Sequence, residues 1–172
     1  YGSLHGICHA PRESLQKIPG IGPNAATLLR LIPGLCRMYY SEQETHVVLN
    51  SPEKCAAYLI PRFIGRTVET VFLICTDSKH RLLSCILLAT GNLNSAAVSS
   101  RSVVETALRF NAAHVVLAHN HVSGIAFPSE DDIATTRSLA PFLAKLGVEL
   151  VDHLIFVDDD MVSLRDSGFY QP

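Results

Sequence analysis

Short apolar runs bounded by polar turns predict β-strands throughout residues 45–172. The runs are residues 71–75, 82–89, 114–118, 148–151, 154–157 and 161–164. The first two are joined by the polar segment 77–80, which predicts a β-hairpin. The third is apolar after its first residue, as expected for a strand buried on both faces.

Between these runs, helix start and stop signals predict three helices. They are residues 51–61, opened by Ser51 and Pro52, residues 102–111, opened by the capping-box spacing Ser102-x-x-Glu105, and residues 129–146, ended by Gly147. Strands and helices mixed in this way predict an α/β or α+β fold, with a mixed sheet flanked by helices.

Residues 12–40 predict a small helical module around the turn 18–23, Ile-Pro-Gly-Ile-Gly-Pro. Gly20 and Gly22 can adopt positive φ and bring backbone amides close to a phosphate, and the arrangement resembles a helix-hairpin-helix motif. Lys17, Arg30 and Arg37 are the nearby cations, so we expect at most weak, non-specific DNA contact. The alternative is a tight turn without a ligand. A polar stretch at 41–45 places the domain boundary between residues 1–44 and 45–172.

Composition narrows the functional classes. With 48% hydrophobic and 17% charged residues, the 172-residue chain can bury a core. A net charge of -2 lacks the overall basic character of general nucleic-acid binders, and the apolar runs are too short to cross a bilayer. Five cysteines without a C-x-x-C pair favour a reducing cytoplasm over disulfides or a thiolate zinc site. The missing initiator methionine suggests a chain trimmed at its start.

The strongest chemical pattern follows the predicted strand 114–118. His119 and His121 are two residues apart, so in extended backbone their imidazoles point the same way. After the loop 122–128, Ser129 caps the next helix and places Asp132 in its first turn. Two histidines and one carboxylate form an open zinc site of the catalytic type, which predicts one zinc ion per chain.

These residues resemble a known family. The H-x-H-x7-S-x-x-D pattern, the stretch 111–121, the tail Asp152-His153-Leu154-Ile155 and an upstream Glu69 resemble the JAMM (MPN-plus) metallohydrolases, in particular their RadC branch. The resemblance implies a cytidine-deaminase-like fold preceded by a helix-hairpin-helix segment. The sequence departs from the family pattern at Val122 and at residues 100–102, and these positions are not among the expected ligands.

The resemblance also assigns roles. It implies that Glu69 is the general acid/base and that Ser129 supports the oxyanion of the tetrahedral intermediate, although Glu105 is a second available carboxylate. It implies a zinc-dependent hydrolase of amide bonds, of the metalloprotease or isopeptidase type, acting on a peptide or isopeptide. His153 is expected to lie behind the ligands, and residues 158–160 are expected to form a solvated turn.

Three other functions remain open. The chain could be a DNA-binding factor of repair or recombination with a structural or vestigial metal. It could be a catalytically silent scaffold, which the complete ligand set argues against. The letters His119-Asn120-His121 also suggest an HNH nuclease, but a buried strand precedes them and the hairpin expected after them is missing.

Overall fold

The computed structural model describes residues 1–42, 47–91, 99–122, 126–158 and 160–172. Six helices and five strands are present in these ranges. In chain order they are α1 (Leu4–His9), α2 (Arg12–Leu15), α3 (Pro23–Glu42), α4 (Pro52–Phe63), β1 (Thr70–Thr76), β2 (Leu82–Thr90), α5 (Ser100–Arg109), β3 (His114–Asn120), α6 (Glu130–Ala144), β4 (Glu149–Val157) and β5 (Asp160–Ser163). No helix in the described ranges is long and apolar enough to span a bilayer.

The chain forms two compact units. The first contains residues 1–44 and 61–65, and the second contains residues 45–60 and 66–172. The short segment 61–65, which includes the end of α4, therefore belongs to the first unit, although it lies within the predicted domain 45–172. The predicted division into two domains at residue 45 stays a prediction.

Helices α1 to α3 form the first unit around a small core. Ala10, Leu15 and Ala26 are buried there, with three half-buried apolar side chains against them. The turn before α3 has Gly20 at a φ of +90°, a left-handed conformation that favours glycine, whereas Gly22 lies outside that region. Of the two glycines that could adopt positive φ, only Gly20 does so.

The second unit contains a five-stranded mixed sheet in the order β2-β1-β3-β4-β5. β1 is antiparallel to both β2 and β3, β3 is parallel to β4, and β4 is antiparallel to β5. The parallel pair needs a long crossover, and α6 provides it. The predicted mixed sheet with flanking helices is confirmed.

Helices cover both faces of the sheet. On one face, α5 and α6 pack Val103, Ala107, Leu139 and Leu143 against a buried cluster that includes Leu117. On the other face lies α4, where the Tyr58 hydroxyl forms a hydrogen bond with Cys85 of β2. Burial on both faces explains why the apolar run of β3 shows no alternation.

Several predicted boundaries were wrong. The N-cap of α5 is Ser99, whose Oγ accepts from the amide of Ser102, while Glu105 pairs with Arg101 instead of closing a capping box. The strands predicted at 148–151 and 154–157 are one continuous β4, because the polar pair between them is buried and hydrogen-bonded. Helix α4 continues through Pro61, two residues beyond its predicted end.

Some expectations fall outside the described residues. These are residues 43–45 of the polar boundary stretch, residues 123–125 of the loop expected after the histidines, and Asp159 of the expected solvated turn.

Candidate metal centre

Two histidines at the end of β3 form one side of the site. His119 is the penultimate residue of the strand, and His121 follows its last residue. The backbone amide of His121 donates to the carbonyl of Phe156 at 2.8 Å, which continues the pairing with β4 beyond the strand. Extended backbone is thereby kept through His121, so that both imidazoles lie on the same face.

The start of α6 supplies the carboxylate. Ser129 is the N-cap, and its Oγ accepts from the Asp132 amide at 3.1 Å. In return Asp132 Oδ2 accepts from the Ser129 amide at 2.8 Å and from the Ser129 hydroxyl at 2.6 Å. This capping box fixes the orientation of Asp132 and leaves Oδ1 directed toward His119.

Three donor groups converge at this point. His119 Nε2 lies 2.9 Å from His121 Nε2 and 3.3 Å from Asp132 Oδ1, and His121 Nε2 lies 3.5 Å from Asp132 Oδ2. Zinc bonds of about 2.0–2.2 Å in a tetrahedron separate neighbouring ligand atoms by roughly 3.3 Å. The spacing and the donor set therefore fit a divalent cation such as zinc. Among the described residues this is the group of histidine, cysteine and acidic side chains that could hold a metal.

The site strongly perturbs its titratable groups. Burial lowers the pKa of His119 to about 4, so this imidazole is neutral at physiological pH. A hydrogen bond with Asp132 raises the pKa of His121, and the charge of Glu69 acts in the same direction. Burial opposes ionisation of Asp132, but hydrogen bonds from His121 and Ser129, together with the positive charge that His119 carries when it is protonated, outweigh burial and lower the pKa of Asp132. Asp132 is therefore an anion facing two imidazoles.

Glu69 lies beside the histidines through the pairing of β1 with β3. Val71 is directly opposite His119, the terminal pair of this antiparallel ladder, and Glu69 precedes Val71 by two residues just as His121 follows His119 by two. Its half-buried carboxylate acts electrostatically on His121. Glu69 lies immediately before β1 and 50 residues before His119 in sequence. The pairing of β1 with β3 brings these two parts of the sequence together.

The other candidate base lies elsewhere. Glu105 is on α5 with its side chain 61% exposed, and its carboxylate is 2.6 Å from the Arg101 guanidinium. Ser129 is at the site, but its hydroxyl proton is donated to Asp132, so the expected oxyanion role stays a prediction.

Two residues at the site were missed by sequence reasoning. Asn120 lies between the two histidines in sequence, and its side chain is buried. Its side-chain amide accepts from the Thr70 amide at 2.9 Å and donates to the Val68 carbonyl at 3.4 Å, so it bonds the residues on either side of Glu69. Thr136, four residues after Asp132 on α6, is fully buried and contacts His153. A buried polar side chain requires hydrogen-bond partners, so a polar residue at a position expected to be buried was the sequence signal for both.

His153 lies behind the ligands, as expected. It is 2% exposed, and its Nε2 is 2.9 Å from His119 Nδ1. Burial and the neighbouring His119 lower the pKa of His153.

Comparison with known proteins agrees with this geometry. The family described as "RadC-like JAB domain" matches residues 49–169. The chain belongs to the RadC-like JAB domain family. The UPF0758 protein of Shewanella baltica (strain OS155) is 34% identical over 170 residues, which cover 98% of this chain and 76% of that protein. UPF0758 proteins of Shewanella sp. (strain ANA-3) and Shewanella putrefaciens (strain CN-32) have the same identity and coverage.

Membership of the RadC-like JAB domain family confirms the resemblance inferred from the histidine and aspartate pattern. The five-stranded mixed sheet with helices on both faces agrees with a JAB/MPN-like domain. His119, His121 and Asp132 form a group that could bind a metal.

Proposed function

We propose that the chain is a zinc-dependent hydrolase of amide bonds, of the metallopeptidase or isopeptidase type, with His119, His121 and Asp132 as the metal ligands. The convergence of these three donor groups supports the proposal most directly. Zinc bound there supplies a Lewis acid and lowers the pKa of water toward neutrality. A reducing compartment such as the cytoplasm suits the five cysteines, which are all free thiols.

In this proposal Glu69 moves the protons of the reaction. Its carboxylate accepts a proton from the attacking water as the water oxygen bonds to the carbonyl carbon. It then delivers that proton to the amide nitrogen as the carbon–nitrogen bond breaks, giving a carboxylic acid and an amine. The pairing of Val71 with His119 and the electrostatic effect of Glu69 on His121 support this role.

Metal content and hydrolysis test the proposal together. Purified protein should contain about one zinc ion per chain by elemental analysis, and His119→Ala should lose it. Hydrolysis is measured on fluorogenic peptides and on a peptide linked to a lysine ε-amine. Glu69→Gln should retain zinc and lose about 100-fold to 10,000-fold in rate, because a general base contributes on that scale.

Glu105→Gln is the matched control. It removes the other candidate carboxylate, which is exposed and paired with Arg101, and should leave both zinc and rate unchanged. A correctly folded wild type without metal would contradict the proposed ligands. An active Glu69→Gln protein combined with an inactive Glu105→Gln protein would transfer the role of base to Glu105.

The rival hypothesis of a DNA-binding repair or recombination factor stays a prediction. Gly20 at a φ of +90° before α3 favours it. However, the guanidinium groups of Arg30 and Arg37 already donate to the carbonyls of Ala10 and Ile64 within the first unit. Salt-dependent DNA binding by the full chain, compared between wild type and Glu69→Gln, separates this function from hydrolysis.

A further inference from the structure

A continuous chain of hydrogen bonds connects the backbone of one proposed metal ligand to the ring of another. The Thr136 hydroxyl lies 2.6 Å from the Asp132 carbonyl oxygen and 2.7 Å from His153 Nδ1. His153 Nε2 in turn lies 2.9 Å from His119 Nδ1. Thr136, His153 and His119 are 0%, 2% and 6% exposed, so water has little access to the polar atoms of this chain.

The proton positions along this series of hydrogen bonds follow from the first bond, between Thr136 and the Asp132 carbonyl. A carbonyl oxygen has no proton, so the short contact between Thr136 Oγ1 and the Asp132 carbonyl requires the hydroxyl to donate. A hydroxyl has only one proton, so Thr136 must accept from His153, whose Nδ1 therefore carries its proton.

The remaining positions follow in the same way. A neutral imidazole holds one proton, so His153 Nε2 is bare and accepts from His119 Nδ1. His119 Nε2 is then bare as well, and this is the atom facing His121 and Asp132. Every contact in the chain is satisfied by this single arrangement of protons.

We infer that Thr136 and His153 are positioning residues that hold His119 in its Nδ1–H tautomer and so present the Nε2 lone pair to a divalent cation. The inference rests on the metal site of the proposed function and extends it beyond the three ligands. Metal-bound histidines usually donate their second ring N–H to an acceptor that fixes their orientation. Here that acceptor is another imidazole, whose own proton is fixed by a threonine.

Removing the hydroxyl should reverse the protons. In Thr136→Val the N–H at His153 Nδ1 has lost its acceptor, and a proton at Nε2 instead can be donated to His119 Nδ1. The His119 proton then moves to Nε2, the nitrogen that faces the cation. That proton would have to leave Nε2 before the nitrogen could bind a zinc ion. Loss of such a supporting contact weakens metal affinity by about 10-fold to 100-fold.

Long-range nitrogen–proton correlation NMR on the zinc-free full chain measures the tautomers directly. We expect both His119 and His153 to be Nδ1–H in wild type and Nε2–H in Thr136→Val, whose zinc affinity should fall by about 10-fold to 100-fold in a chelator competition. Thr136→Ser restores a hydroxyl and should restore both results. Thr135→Val, a half-buried neighbour on α6, should resemble wild type.

The wild-type spectrum alone can overturn the inference, whether or not the valine variant folds. His119 observed as Nε2–H in zinc-free wild type overturns it, as do tautomers or an affinity that Thr136→Val leaves unchanged. If wild type binds zinc but shows the opposite tautomers, this inference fails and the proposed function stands. If the tautomers are as expected but no zinc binds, the proposed function and the ligand-presenting role both fail.

Discussion

Replacing Asn120 by alanine tests whether the segment carrying Glu69 is held by one buried amide. Asn120 Oδ1 accepts from the Thr70 amide at 2.9 Å, and its Nδ2 donates to the Val68 carbonyl at 3.4 Å. Thr70 is fully buried, so its N–H would be left without a partner in Asn120→Ala. An orphaned buried donor costs about 1–3 kcal/mol, and the longer second bond adds little, so we expect a loss near 2 kcal/mol.

Urea unfolding in the presence of a chelator gives this loss of free energy without a contribution from metal. Native-state hydrogen exchange locates it: the Thr70 amide should exchange faster in Asn120→Ala by roughly 30-fold, the ratio that about 2 kcal/mol represents. Asn50→Ala, at an exposed asparagine of the same unit, should stay within about 0.5 kcal/mol of wild type. Unchanged protection of Thr70 together with unchanged stability would show that Asn120 does not hold this segment.

Three further predictions concern stability. Leu143→Ala, at a fully buried position of α6, should cost about 2–5 kcal/mol in urea unfolding, whereas the 44% exposed Leu146 should tolerate alanine within about 1 kcal/mol. Burial raises the pKa of Asp152, so wild type should gain stability relative to Asp152→Asn as pH falls through that raised pKa, measured by urea unfolding between pH 7 and 4. Zinc at about 100 times its Kd should stabilise wild type by about 2.7 kcal/mol in thermal unfolding, and His119→Ala should show no such gain.

The candidate ligands could be predicted because short-range geometry determines their placement. Only Asn120 lies between His119 and His121 at the end of the strand, and one helix cap joins Ser129 to Asp132. The period of a strand and the geometry of an N-cap are local properties of backbone. Only the approach of the cap to the strand depends on tertiary structure, and only residues 121–128 lie between the two in sequence.

Glu69 could not be placed by the same reasoning. Its distance from His121 is set by the register between β1 and β3, and nothing local to either segment determines that register. Asn120 contributes to it by bonding the segment before β1 to the end of β3. The family resemblance could name Glu69, but the pairing of strands explains why its charge acts on His121.

The face of the sheet on which His153 lies could not be predicted from the sequence. Leu150 pairs with Val115, but Asp152 pairs with the next residue, so β4 has one extra residue at position 151. A β-bulge of this kind moves every later side chain to the opposite face. Without it, Asp152 would face α6 and His153 would lie on the other side of the sheet. The apolar stretch around it has no alternation from which the bulge could be read, although the hydrogen bond from His119 to His153 depends on it.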